Sequence, residues 1–421
     1  MRRVLLGFVV ALAACSQAGE EPTTTDAPAT TQDVTTTQPE GGFPFEPIAP
    51  QLGADGNQVW DEPGPFEQTP TRERPREARV VRVDFPTDAV VAITYDDGEV
   101  RLMGTDEMKV RSTLGATGVV YTDGPGGVDI LAPLPDQAPH GRPAVLAGGQ
   151  IAYVTQRGEL VVWDDSEIAR VDIDALPDSD VVVDGNRLLV LTAPTNRYPH
   201  AILGDDIEAG GFAIATAPSL EVTARVAIEE PAVIEGRRAI WADFDGDGTL
   251  EVQVTVSDGD GGARLVVFEE SGEISTEGAA VGRGSRWRHQ IAFGNFGGAQ
   301  RGVEVVTPHI GGIVSFHEYD EEISRVARRS DFTSHAIGSR ELEGGVAIDM
   351  DGDGDLELVI PTQDRRELVA IGLEDGEAVV EWRAGLGGRV SSNIAVGMRN
   401  GVPTIAVGVA NGTVYFWSAA G

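Results

Sequence analysis

The sequence predicts an all-β fold, most simply a β-propeller of seven four-stranded blades, and three observations carry that reading. After residue 75 no segment shows a helical stripe of apolar residues. Short β-rich runs alternate instead with Gly, Asp and Asn turns, the pattern of strands and hairpins. Related runs recur at a spacing near 50 residues, about the length of one four-stranded blade.

The hairpins show the pattern directly. VVAITYDDGEVRLM (90–103), IAYVTQRGELVVW (151–163), VEVVTPHIGGIVSF (303–316) and TIAVGVANGTVYFW (404–417) each place a glycine-containing turn between two apolar strands. The longer repeat is clearest in AIWADFDGDGTLEVQV (239–254), IAFGNFGGAQRGVEVV (291–306), AIDMDGDGDLELVI (347–360) and IAVGMRNGVPTIAVG (394–408). Asp243, Asn295 and Asp349 fall in phase, at spacings of 52 and 54. Blade turns are expected near 88, 149, 185, 247, 298, 352 and 400, which makes seven blades. A further turn in TDGPGG (122–127) would add an eighth. With a hairpin ending at Trp417, the ring would be closed by an N-terminal strand such as ARVVRVDF (78–85).

Two loops carry the most distinctive chemistry. DFDGDGTLE (243–251) and DMDGDGDLE (349–357) set carboxylates at positions 1, 3, 5 and 9: Asp243, Asp245, Asp247 and Glu251, then Asp349, Asp351, Asp353 and Glu357. Intervening glycines let the chain curl, and the carbonyl of Thr249 or Asp355 at position 7 can join. Hard oxygen ligands in this number suit Ca²⁺ rather than zinc or copper. Without a cation, four carboxylates held together repel strongly. An EF-hand is excluded, because it needs a bidentate Glu at position 12, where Val254 and Ile360 sit inside expected strands.

These loops resemble the FG-GAP, or VCBS, repeat of integrin-α-like propellers. The resemblance implies a loop joining the first two strands of a blade, with calcium in a structural role. That family usually has Asp at the ninth position, where this chain has Glu. The likeness covers residues 239–417 well, and 78–238 by strand rhythm alone. The equivalent loop at Asn295-Phe296-Gly297-Gly298 lacks carboxylates and is expected to bind nothing.

The N-terminus reads as an export signal over residues 1–14. Arg2 and Arg3 precede an apolar run from Val4 to Ala14, too short to span a bilayer. Leu12-Ala13-Ala14-Cys15 resembles the bacterial lipobox, which implies cleavage before Cys15, lipidation of its thiol and an extracytoplasmic, membrane-anchored place in the cell envelope. Cys15 is the sole cysteine, so no disulfide forms within the chain. Residues 15–45 form a Thr-, Pro- and acid-rich tether with little to bury, expected to be disordered. Residues 46–421 make the propeller.

The charge is −35, with 67 acidic residues against 32 basic ones. That argues against nucleic acid or anionic lipid as a surface-charge partner and is compatible with cations.

Strand alternation places the remaining polar loops on the face opposite the calcium loops. His200, Arg197 and Tyr198 lie in the loop 195–211, His309 in TPHIGG, Trp287, Arg288 and His289 before a first strand, and His335 and Arg340 between blades. His140, Asp205, Asp206, Glu208 and Asn393 map to the same side, and His317 falls elsewhere. Such a face suits a sugar, a carboxylate or a peptide. The leading expectation is a surface-tethered binding, adhesion or scaffold module for a protein, glycan or small ligand. The alternative is an extracytoplasmic lyase or hydrolase using His289, His309, His200 and Arg340. No HExxH, phosphate loop or dinucleotide glycine pattern is present, and the tryptophans do not recur at fixed positions, as a quinone-dependent dehydrogenase would suggest.

Overall fold

The structure, a computed structural model, describes residues 46–48, 55–104, 109–112, 118–124, 127–131, 134–284 and 286–420. The export signal, Cys15 and the 15–45 tether lie outside the described residues. Pro44–Gly421 forms one compact unit.

Among the described residues every regular element is a strand, and they form seven hydrogen-bonded sheets. The first consists of Val80–Thr87, Val90–Tyr95, Glu99–Met103 and Lys109–Ser112. Tyr121–Asp123 and Asp129–Ile130 form the second, with Glu46–Ile48 added antiparallel to Tyr121–Asp123. The third runs Ala144–Val145, Ile151–Val154, Glu159–Asp164 and Ser166–Asp172. A nine-stranded sheet follows. One half holds Val182–Asp184, Arg187–Thr195, Glu208–Thr216 and Glu221–Ala227; the other holds Ile240–Ala242, Glu251–Asp258, Gly262–Phe268 and Ile274–Glu277. Val233–Ile234 bridges the halves, pairing with both Glu208–Thr216 and Glu251–Asp258.

The fifth sheet is Arg288–Phe296, Ala299–Val306, Ile313–Tyr319 and Ile323–Ser330. The sixth is Val346–Ile348, Glu357–Pro361, Glu367–Glu374 and Glu377–Gly385, with Val59–Trp60 parallel to Val346–Ile348. The last is Val390–Arg399, Val402–Val409 and Val414–Ser418, completed by Thr71–Glu73. The seven expected turns near 88, 149, 185, 247, 298, 352 and 400 each lie between two consecutive antiparallel strands, and Asp123 ends a strand that pairs with Asp129–Ile130.

Burial follows strand position. Val90–Tyr95 is buried at every residue, as expected where neighbours cover both faces of a sheet. Fourth strands such as Glu221–Ala227 alternate between exposed and covered positions.

Each large apolar cluster joins consecutive strand sets. Leu102 packs with Tyr121, Val120 with Tyr153, and Val162 with Val190. Phe212 shares a cluster with Trp241, Leu265 with Phe293, and Phe316 with Val369. Trp382 shares one with Trp417, and finally Phe416 with Val80 and Ile93. The last sheet therefore packs on the first.

The expected closing strand is corrected. Val80–Thr87 does not complete the last sheet; it pairs with Val90–Tyr95 in the first. Thr71–Glu73 pairs with Val414–Phe416 instead. Val80 and Val83 are fully buried, which suits an inner strand, whereas Thr71–Glu73 has the open pattern of an edge.

The preceding segment, 55–66, runs along the edges of several sheets. The N–H of Trp241 donates to Asp55 O (2.9 Å), the Asn57 amide exchanges two hydrogen bonds with the Phe293 backbone, and Gln58 bonds Ile291 and Ala347. Gly64 N–H donates to Asp349 O at 2.7 Å.

Candidate functional site

Both acidic loops lie between a first and a second strand, 243–251 leading into Glu251–Asp258 and 349–357 into Glu357–Pro361. One carboxylate oxygen from each of Asp243, Asp245 and Glu251 lies within 4.8 Å of the others, and Asp349, Asp351 and Asp353 form a matching trio. Gly246, Gly248, Gly352 and Gly354 all take positive φ, which lets each turn curl. Backbone donors fix the side chains. Asp243 accepts from Gly246 and Gly248 N–H (2.7 and 3.0 Å), and Asp349 accepts from Gly352 and Gly354 N–H (2.6 and 3.0 Å). Glu251 and Glu357 accept from Phe244 and Met350 N–H, respectively (2.8 and 2.7 Å).

In each loop three of the four expected carboxylates come together, without Asp247 in the first and without Glu357 in the second. Asp247 turns toward Thr249, accepting from its N–H and hydroxyl (2.7 and 2.6 Å). Asp355 accepts from the Asn295 amide and Gly298 N–H (2.8 and 3.0 Å). The carboxylate-free turn at 295–298 thus docks on the second acidic loop. Burial, then Glu381, Asp351 and Asp353, pushes Glu357 up to about 9, against the Met350 hydrogen bond. Glu381 itself is pushed up to about 7, by burial first and then by Asp351. The crowded hard oxygens fit a divalent cation. Glu381 comes from the outer strand Glu377–Gly385 and carries no motif that marks it.

The histidines separate into groups. Trp287 stacks on His289 (5.0 Å between centroids, 18° between planes) and meets His335 edge-on at 5.0 Å. His309 packs against His335 at 4.4 Å. Ser334 Oγ bridges His289 Nδ1 (2.7 Å) and His335 Nδ1 (3.1 Å). Exposure is 2% for Trp287, 4% for His289 and 7% for His335, so these are packed groups. Burial holds His289 down at about 3 and His309 at about 4, with Arg238 and His200 respectively adding to it, so both are neutral at pH 7. Three buried polar atoms in this cluster have no hydrogen-bond partner: His309 Nε2, His335 Nε2 and Trp287 Nε1.

His200 sits beside them with Nδ1 on Glu235 Oε1, while Ser257 Oγ donates to Glu235 Oε2. Tyr198 meets the His200 ring edge-on at 5.8 Å. Other candidates are engaged elsewhere. Arg197 donates to the carbonyls of Ala232 and Ile228. Arg288 forms a buried pair with Glu304 (2.6 and 2.8 Å), which His317 also contacts. Arg340 pairs with Asp178 and Asp205, near His140.

A buried charge network escaped the sequence reading. Arg82 lies 2.9 Å from Asp84, 2.7 Å from Glu341 and 2.9 Å from Glu343. Glu343 also pairs with Arg142 and Arg238, Asp180 pairs with Arg237, and Tyr121 donates to Asp84 at 2.8 Å. Arg82, Arg142, Asp180, Arg237, Arg238 and Glu343, far apart in sequence, line a cavity of about 10 Å³. The available signal was Gly-Arg immediately ahead of a first strand, in Gly141-Arg142 and Gly236-Arg237.

No protein-family model matches the chain, and no curated protein matches it. Among solved structures it aligns with the quinohemoprotein alcohol dehydrogenase of Comamonas testosteroni at 8% identity, TM-score 0.41, covering 87% of this chain and 79% of that one. It aligns with BBS1N in its complex with ARL6DN at 9% identity, TM-score 0.42, covering 85% and 98%. Likeness at this level says nothing about what the chain binds or catalyses.

Proposed function

We propose that the chain is an eight-bladed β-propeller of the FG-GAP type, anchored through Cys15 outside the cell membrane, that works as a ligand-binding module. Eight strand sets, with core clusters running from each to the next and from the last to the first, support the ring. Ca²⁺ in the two acidic loops would be structural, held by Asp243, Asp245 and Glu251 and by Asp349, Asp351 and Asp353.

One observation carries the binding role. His309, His335 and Trp287 bring three unpartnered buried polar atoms to one cluster, beside His200 and Tyr198. Leaving such atoms unpaired is costly, and a ligand that hydrogen-bonds them removes that cost. The test is a glycan and metabolite screen with Trp fluorescence as readout, with and without Ca²⁺. A ligand that quenches wild type and fails with His309→Ala supports the role; no response across the screen sinks it.

An enzyme reading has its own support in the Ser257–Glu235–His200 chain, in which a buried carboxylate orients an imidazole as in general-base sites. Release of new reducing ends from an acidic polysaccharide, abolished by His200→Ala, would establish it.

A further inference from the structure

A chain with a net charge of −35 gathers three arginines around one cleft and leaves them without acidic partners. Arg79 precedes Val80–Thr87, Arg365 sits in the turn after Glu357–Pro361, and Arg389 precedes Val390–Arg399. Among the described residues, no carboxylate ion-pairs with any of the three. Burial, then Arg389 and Arg79, holds Arg365 below the usual guanidinium range. Asp364 feels Arg389, yet its Oδ1 already accepts from Thr362 Oγ1 (2.8 Å) and Arg366 N–H (3.0 Å).

The cleft has built walls. Arg79, Arg365, Ser334, His335, Ser391 and Ser392 line it. Its one acid, Glu341, is paired with Arg82 at 2.7 Å. Arg365 takes a left-handed backbone conformation, φ +60°, uncommon for a residue with a side chain. Its N–H donates to Thr362 O and its carbonyl accepts from Val390 N–H, both at 2.8 Å, and its guanidinium Nη1 donates to Val390 O at 3.3 Å, which holds the side chain at the cleft wall. His335 is buried, and its Nε2 has no partner. When Ser334 Oγ donates to His335 Nδ1, the ring hydrogen resides on Nε2, which becomes a donor.

We propose that this cleft binds an oxyanion, the carboxylate or phosphate head group of a small ligand, with Arg79 and Arg365 as charge-assisted donors and His335 Nε2 beside them. Arg389 adds positive potential from outside the cleft. The space measures about 20 Å³. That is about the room a single water needs, so the cleft takes an oxygen of the head group, and the rest of the head group and the body of the ligand lie at its mouth. His309, packed on His335, is placed to meet that body. The inference rests on the binding reading above and names its ligand class.

The test is isothermal titration of the full-length chain at constant ionic strength set with chloride. The probes are inorganic phosphate, glucuronate and neutral glucose. Phosphate and glucuronate are expected to bind, with Arg365→Gln weakening both by about tenfold to a hundredfold, the usual effect of losing a charge-assisted hydrogen bond. Arg79→Gln and Arg389→Gln change exposed residues and guard against a folding defect in the first variant; Arg79→Gln is expected to weaken both anions too. A preference for phosphate over glucuronate assigns a phosphate source; the reverse assigns a sugar acid. Glucose binding as well as glucuronate, with neither altered by Arg365→Gln, overturns the oxyanion site and leaves the binding module standing. Phosphate binding that needs Arg365, with glucuronate no tighter than phosphate and indifferent to His309→Ala, keeps the oxyanion site and removes the histidine cluster from the ligand surface. No anion response beyond that of chloride overturns the proposal.

Discussion

Arg82 and Glu343 face each other at 2.9 Å, although one lies in the first sheet and the other just ahead of the sixth. Burial would raise the Glu343 carboxyl, but Arg142, Arg82 and Arg238 hold it well below the usual carboxylate range. Glu343→Gln would leave buried guanidinium groups short of a counter-charge. It is expected to destabilise the fold by about 3–5 kcal/mol. Urea unfolding measures this, and the double variant Arg82→Met with Glu343→Leu should cost less than the two single changes added together.

Chelation is expected to lower the melting temperature. A site at 100 times its Kd contributes about 2.7 kcal/mol, and less at the weak affinities, about 10⁻⁴–10⁻³ M, of extracellular modules. Asp349→Ala with Asp351→Ala should remove part of the chelator-induced shift. Asp243→Ala should remove another part, whereas Asp247→Ala should spare most of it, because Asp247 is turned toward Thr249. Identical melting curves with and without chelator would count against both loops as cation sites.

The neutral histidines impose a pH dependence with a definite sign. His289, held at about 3, stays unprotonated when the unfolded chain begins to take up protons near pH 6.5. The unfolded state then binds more protons, so stability is complete above pH 6.5 and falls as pH drops toward 3. Each pH unit in that window costs about 1.4 kcal/mol per histidine. Differential scanning calorimetry from pH 7 to 4 should show a shallower decline in His289→Gln than in wild type.

Glu208 acts in the opposite direction. Burial, then Glu235, pushes it up to about 9, so the folded state holds a proton that the unfolded state releases above about pH 4.5. Its contribution is full below that pH and is lost as pH rises toward 9. Glu208→Gln should therefore stabilise the fold at pH 8, by about 1.4 kcal/mol for each pH unit above 4.5 at most, seen as a higher melting temperature, and change little at pH 4.

Truncation to residue 75 removes Glu46–Ile48, Val59–Trp60 and Thr71–Glu73 and leaves the edge of Val414–Ser418 unpaired. Open edges template association. Size-exclusion chromatography of the truncated chain should show oligomers, and a monodisperse monomer with unchanged stability would show that the sheets do without these strands.

The turn positions were legible because glycine and Asp-Gly punctuation is local chemistry, as at Asp97-Gly98 and Gly352. The acidic loops were legible because Asp243 and Asp349 repeat in register with the strands around them. Residues 55–66 were not legible: GNQVWDEPGP has loop composition, and its hydrogen bonds go to the edges of distant sheets rather than to its own neighbours. The same holds for Arg82, which looks like a surface residue within ARVVRVDF until strands far away in sequence enclose it. The grouping of His289, His309 and His335 followed from strand alternation, which orders loops by side; the diversion of Arg288 to Glu304 depends on which way one residue of a strand points.

The stretch from Asp55 to Glu73 also bears on mechanics. A pull from the N-terminal side would first meet the pairing of Glu46–Ile48 with Tyr121–Asp123, then hydrogen bonds at Asp55, Asn57 and Gln58, then the parallel pairing of Val59 and Trp60, and only afterwards the short strand at Thr71. Load would be taken by the second, fourth, fifth, sixth and last sheets in turn, so traction peels one grip at a time and reaches Thr71–Glu73 last.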